Sequence, residues 1–589
     1  MKQFFKFMFA SMLGTILVFV LASLAFFTFL ILLVSGLQKE KTESISPNTV
    51  LEIKLDSPLP DRTIWEPFSG FRFNFKINKQ LGLNTVIANI RKAKSDNNIK
   101  GIYLDLNDFS AGGLATIEAV RRELVEFKKS KKFIIAYGNM ISQGAYYLAT
   151  VADRIYMPPA GSLDFKGISA ELTFFKNTLD KLEIEPQIFH YGKYKSAIEP
   201  FKFDKMSDAN RQATSALLNS VYINMLNNIN LSRHLSFDSL KNAADKFLIQ
   251  FPEDAKKYRF VDSLIYFDQV LDELKIKSGV DKDKKLRRIS IQEYTDVKPS
   301  QSGSSSNKIA VIYANGEIRN TDGDESTIGS DNITEAIRKA RNDQSVKAIV
   351  MRVNSPGGDA LIADIIWREV EVARQKKPFI ISMGNYAASG GYYISCAADS
   401  IVAEPTTITG SIGVFGIIPN MQAFFKNKLG VTFDRVNTGK YSDLGSITRP
   451  LTADEKQFVQ KEIDHIYEIF VNKVAQGRKK TFEQIHQIAQ GRVWTGLQAK
   501  ELGLVDVIGG LDDAVKIAAH KAHLSQYRIV EYPGVRGFFE KVMDDFASEA
   551  ETAYLKYKLG DSYKYFNKIR NLDYIQGIQA RIPFEMDIH

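Results

Sequence analysis

An α/β protein made by internal duplication and tethered by one N-terminal transmembrane helix is predicted by three observations. An uncharged run of 31 residues extends from Phe7 to Leu37. After it, apolar strand-like runs alternate with amphipathic helical runs, a βαβ rhythm that implies a mostly parallel sheet covered by helices. The sequence beyond residue 308 then repeats the sequence before residue 298 at shifts of 246 to 250 positions.

The uncharged run is flanked by Lys2 and Lys6 on one side and by Lys39, Glu40 and Lys41 on the other. As a helix it measures roughly 46 Å against a hydrocarbon core of about 30 Å, so it spans with tilt or overhang. A cleavable signal has an apolar core of only about 7–15 residues, so residues 1–44 are expected to be a retained anchor. Lysines at both ends give the positive-inside rule little to act on.

Next come a helix at 85–94, a strand at 99–106, a helix at 112–129 and a strand at 133–137. Residues 45–297 form the first expected repeat. A polar Gly/Ser-rich linker follows at 298–307, where the pattern breaks. The second repeat is expected over 308–545 and a C-terminal extension over 546–589. That extension is rich in Tyr, Phe and Lys and is expected to pack on the body or against the membrane.

Four matches carry the duplication. Ile90-Arg-Lys-Ala-Lys matches Ile337-Arg-Lys-Ala-Arg, and Gly144-Ala-Tyr-Tyr matches Gly390-Gly-Tyr-Tyr. Phe174-Phe-Lys-Asn177 matches Phe424-Phe-Lys-Asn427, and Gly192-Lys-Tyr194 matches Gly439-Lys-Tyr441. The copies differ where chemistry would sit: Gln143 stands opposite Ser389, and Lys195 stands opposite Ser442. One copy holds a nucleophile and the other a base.

Composition excludes several classes. Charged residues make up 25% of the chain and the net charge is +9, yet the basic residues are scattered among 68 acidic ones, so a nucleic-acid stripe is not expected. The single cysteine, Cys396, rules out an intramolecular disulfide and a cysteine-built metal site. No cofactor is expected.

Ser389 lies in Ala387-Ala-Ser-Gly-Gly391, after the strand-like run 379–383 and before a helical pattern that includes Tyr392, Tyr393, Ala397 and Ala398. A serine there would sit at a helix N-terminus with the Gly390 N–H turned toward an oxyanion. A serine needs a base. None of the seven histidines lies between Ser389 and His465, and His190 falls in a strand-like stretch that marks it as structural. Lysine serves if desolvation holds it neutral. Lys193 has a counterpart, Lys440, and reads as architectural, which leaves Lys195. Ser411 in Thr409-Gly-Ser-Ile-Gly413 is either a hydroxyl that orients the lysine or a turn serine. Val353-Asn-Ser-Pro-Gly-Gly-Asp359 follows the expected strand 348–353, and the N–H of Gly357 or Gly358 could join that of Gly390.

In combination, NSPGG, AASGGYY, TGSIG and YKSAIEPF resemble the long, duplicated signal peptide peptidases (protease IV), membrane-anchored Ser-Lys peptidases whose fold is related to Clp protease and the crotonases. The resemblance covers nearly the whole chain. It implies two tandem Clp/crotonase-like domains, with Ser389 as nucleophile, Lys195 as general base, Ser411 supporting the lysine, and Gly358 and Gly390 as oxyanion donors. It further implies a homotetramer in the inner (cytoplasmic) membrane, single-pass, with its body on the periplasmic side, acting on hydrophobic signal peptides. Two rivals share some of these features. A crotonase-like acyl-CoA enzyme would keep the fold and glycine loop without needing Ser389 and Lys195 together. A non-catalytic membrane scaffold would have let both copies decay alike.

Overall fold

The computed structural model describes residues 2–37, 45–66, 78–297, 305–534, 555, 558 and 578–582. Residues 38–44, most of the expected linker (298–304) and most of the C-terminal extension lie outside the described residues. The helix Lys2–Leu37 is long and apolar enough over Lys6–Ser23 to cross a membrane, by length and composition.

The duplication is visible in strand order. The first unit has a six-stranded parallel sheet in the order Ser263–Leu264, Arg154–Met157, Phe133–Tyr137, Ile99–Asp105, Thr49–Lys54, Arg288–Ser290. The second unit repeats it as Val507–Ile508, Ser400–Ala403, Phe379–Ala388, Val346–Ser355, Lys308–Asn315, Arg528–Tyr532, again parallel. Gly101 pairs with Phe133 in one sheet and Ile349 with Phe379 in the other.

Helix faces repeat as well. Val86, Ile90 and Ala93 are buried on Leu83–Ser95, and Ile333, Ile337 and Ala340 are buried on Ser330–Asn342. Spacings of three and four residues put each set on one stripe against its sheet.

A third sheet breaks the symmetry. Its six strands run Thr327–Ile328, Glu317–Ile318, Gly357–Asp359, Ile578–Arg581, Val414–Asn420, Glu185–Tyr191. Glu185–Tyr191 therefore leaves the first unit and pairs antiparallel with Val414–Asn420 of the second, from Tyr191 opposite Val414 to Glu185 opposite Asn420. Phe189 on this arm is buried in the second unit's core.

Polar contacts outside this crossing also join the units. Asp61 accepts from buried Arg352 at 2.7 Å and from Asn354 at 2.8 Å. Glu118 accepts from the Thr406 hydroxyl at 2.8 Å, and Arg122 holds Glu404 through both guanidinium nitrogens.

Candidate active site

The strand Phe379–Ala388 delivers Ser389. It runs past the expected end at 383 because Tyr386, Ala387 and Ala388 find a second partner in Ile408–Gly410. The helix beyond Ser389 covers only Gly390–Tyr393, with turns in place of the expected continuation through Ala398. Two glycines at its start are poor helix formers, and the Ser395 hydroxyl bonds back to the Gly391 carbonyl at 2.7 Å.

Ser389 sits in the turn between them at φ 56° and ψ −113°, a conformation costly for a residue with a Cβ. The turn is held by the Ser389 N–H donating to the Gly410 carbonyl at 2.7 Å and by the Tyr393 N–H donating to the Ser389 carbonyl at 2.8 Å. The side chain is fully buried.

The exchanged arm delivers Lys195. After Tyr191 the chain turns through Gly192, and the Tyr194 N–H donates to the Gln490 carbonyl at 2.8 Å, seating the segment on the second unit. Lys195 is 2% exposed. Its backbone passes so close to Gly491 that a Cβ there would lie 2.6 Å from the Lys195 Cα. The Lys195 Nζ is 2.8 Å from the Ser389 Oγ, 3.2 Å from the Ser411 Oγ and 3.3 Å from the Ser411 carbonyl.

Among the described residues no carboxylate lies within ion-pair distance of this amine. Burial alone therefore holds its pKa well below that of a free lysine, because a charged ammonium in that crevice would lack compensation. Ser411, also fully buried and at φ 51°, is fixed by its N–H donating to the Arg492 carbonyl at 2.7 Å. Its hydroxyl thus reaches the amine from a braced backbone.

The glycine loop closes the far side. Gly357–Asp359 forms a short strand, and a Cβ built on Gly357 would fall 2.8 Å from the Gly390 nitrogen. The Gly357 backbone thus lies against that of Gly390, the residue after Ser389, while Gly358 lies against the Ile318 backbone.

The other candidates fall elsewhere. Lys193 is exposed with its amine over the Tyr194 ring at 5.5 Å. His190 pairs opposite Phe415 in the third sheet, and burial lowers its pKa. In the first unit, Gln143 plugs the position equivalent to Ser389: its amide oxygen accepts from the Lys166 and Gly167 N–H groups, each at 3.0 Å, and its nitrogen donates to the Gly167 carbonyl at 3.0 Å. Ser442, opposite Lys195, is exposed in its own turn. Sequence reasoning missed the wall formed by Gly491 and Arg492 and the tail strand Ile578–Arg581, which pairs with the glycine loop.

The sequence profile of Peptidase family S49 matches residues 126–281 and 371–525, one segment in each unit. The chain belongs to peptidase family S49. It is a serine peptidase, a hydrolase, built as two tandem S49 domains behind an N-terminal apolar helix. This S49 chain is 40% identical over 468 residues to Protease 4 of Salmonella typhi, covering 78% of this chain and 75% of that protein. It is 34% identical over 513 residues to Protease 4 of Haemophilus influenzae, covering 85% and 83%. With the chloroplastic serine protease SPPA of Arabidopsis thaliana it shares 35% identity over 456 residues, covering 76% and 67%. Among solved structures, ClpP1 from Listeria monocytogenes superposes on 34% of the S49 chain and 92% of its own length, with TM-score 0.23 and 18% identity.

Proposed function

We propose that this S49 peptidase is a membrane-anchored endopeptidase that hydrolyses cleaved signal peptides through a Ser389–Lys195 dyad. The observation that carries the reading is the 2.8 Å approach of a carboxylate-free, buried lysine amine to a buried serine hydroxyl held in a strained turn. The first unit (45–297) supplies the base and the second (308–545) the nucleophile.

Lys195 acts in its neutral form. Its two N–H groups point to the Ser411 hydroxyl and carbonyl, which leaves the nitrogen lone pair for the Ser389 O–H. As Ser389 Oγ attacks a peptide carbonyl, its proton passes to Nζ, and the tetrahedral oxyanion is met by the N–H groups of Gly358 and Gly390. The ammonium then protonates the departing amine, and the neutral amine activates the water that releases the acyl group.

The N-terminal apolar helix supports this substrate class. A cleft tethered to a bilayer meets hydrophobic leader peptides that partition into the same lipid. In this reading the chain sits in the inner membrane with its body on the periplasmic side and assembles as a homotetramer. The test is hydrolysis, by the detergent-solubilised full chain, of a hydrophobic leader peptide against a hydrophilic peptide of equal length. A higher kcat/KM for the leader peptide is expected, and equal or reversed preference contradicts the substrate class.

A further inference from the structure

A basic loop lies where the chain leaves its N-terminal helix. Over 275–288 the sequence KIKSGVDKDKKLRR sets seven lysines and arginines against two aspartates. Leu286 and Ile289 are buried and pin the loop to the first unit, while Lys284, Lys285, Arg287 and Arg288 around them stay exposed. Residues 45–49, the first described ones after the helix, run alongside: Arg287 donates to the Pro47 carbonyl at 3.2 Å and Asn48 to the Gly279 carbonyl at 3.3 Å. Between the two stretches lies an open cavity of about 800 Å³, within the size range of small-molecule sites.

The charges lining this cavity are unevenly spent. Its acidic members are Asp281 and Glu293. Asp281 pairs with Lys284 at 2.6 Å in an exposed bridge of little worth, and Glu293 accepts from the Ser290 N–H at 3.1 Å and hydroxyl at 2.8 Å as a helix cap. Arg288 pairs with Glu52 at 3.3 Å. Among the described residues the Lys285 amine has no carboxylate partner, and Arg287 spends one guanidinium nitrogen on a backbone carbonyl. Lys285 and Arg287 therefore offer uncompensated charge and unused N–H donors, which suit a phosphate with several oxygens.

The distance to the bilayer selects the kind of phosphate. An uncharged helix of about 46 Å matches a bilayer of about 40–45 Å including its headgroups, which brings Leu37 to headgroup level. From there eight residue steps, roughly 29 Å of chain at most, lead to Ile45. A basic cluster tethered that close meets membrane phosphates at a far higher effective concentration than free ones.

We propose that the cavity between residues 45–49 and 279–289 binds the headgroup of an anionic membrane lipid, an inference that rests on the membrane-anchored reading of the N-terminal helix. Lys285 and Arg287 meet the phosphodiester oxygens, and Lys284 exchanges its exposed aspartate for the lipid. The contact adds a second attachment to the one made by the helix and holds the first unit against the bilayer surface.

The experiment titrates the detergent-solubilised full chain with short-chain phosphatidylglycerol, short-chain phosphatidylcholine and inorganic phosphate, counting bound molecules by native mass spectrometry, and floats the reconstituted chain with phosphatidylcholine vesicles. Phosphatidylglycerol is expected to bind about tenfold or more tightly than either of the others. The double variant Lys285→Ala with Arg287→Ala is expected to bind it about 30-fold more weakly, about fivefold for each charge removed, with hydrolysis of an added peptide unchanged. Equal binding of the two lipids overturns the inference, as does phosphatidylglycerol binding that the double variant leaves intact. Inorganic phosphate bound as tightly as phosphatidylglycerol overturns the lipid assignment in favour of a free anion. A chain that floats with the neutral vesicles yet fails these tests keeps its anchor and loses the site, and a chain that does not float loses both.

Discussion

The Lys195 amine lies 2.8 Å from the Ser389 hydroxyl although 194 positions separate them in the chain. Neither residue's own unit brings them together. The contact exists because Glu185–Tyr191 crosses into the second unit's sheet and releases its next residues against Gln490 and Gly491. A duplicated chain has thereby built one composite site, with the equivalent of the serine plugged by Gln143 in the first copy.

Removing either partner should silence the enzyme. Ser389→Ala and Lys195→Ala are each expected to lower kcat/KM for a peptide by about 10³-fold or more, with circular dichroism unchanged. Lys195→Arg should be equally inactive, since a guanidinium stays protonated and offers no lone pair. Near-normal turnover in any of the three contradicts the dyad.

The buried lysine should cost stability. A lysine in the unfolded chain keeps its proton up to about 10.4, whereas the folded amine, its pKa lowered by burial, sheds it at lower pH. Its contribution is therefore fully present above the unfolded pKa and declines as pH falls toward the folded one. Lys195→Met should be inactive yet melt a few degrees higher at pH 7, with the gap narrowing as pH rises toward about 10.4. Thermal melts at several pH values check this, and an equal or lower melting temperature at pH 7 runs against it.

Ser411 contributes through one hydroxyl, 3.2 Å from the amine. Ser411→Ala should cut kcat roughly tenfold, the worth of one hydrogen bond, and move the lower limb of the pH profile. Unchanged kcat and pH profile would make Ser411 a turn residue only.

Glu118 offers a separate test of how the units are joined. Burial, and then the neighbouring charge of Glu404, push its carboxyl up to about 7 from an ordinary 4.5. The folded state holds this proton more tightly than the unfolded chain, so the stability it contributes is present below 4.5 and lost as pH rises to about 7. The loss amounts to at most about 3 kcal/mol. Denaturant melts of Glu118→Gln should lack this fall between pH 5 and 7, and a slope matching that of the wild type would place the charge elsewhere.

Much of this was legible in the sequence because it is local. The strand at 133–137 falls where periodicity places it, and the Ile90 and Ile337 repeats lie on matching helix faces. The mismatches between copies, Gln143 against Ser389 and Lys195 against Ser442, pointed to residues that only a folded chain can bring together. The stretch around His190 reads as strand-like, but the sequence cannot say which sheet accepts it. For the same reason nothing in Ile578–Arg581 announces its partner. The strand leading to Ser389 outran its apolar run because pairing with Ile408–Gly410 outweighed the breaking tendency of Gly384 and Asn385.

The most direct test of the composite site is the rate at which a fluorophosphonate labels Ser389, measured by mass spectrometry of the modified peptide from about pH 5 to pH 10. The account predicts that labelling rises through an apparent pKa well below that of a free lysine and is lost in Lys195→Ala. Labelling of Lys195→Ala at the wild-type rate, with an unchanged pH profile, would contradict it.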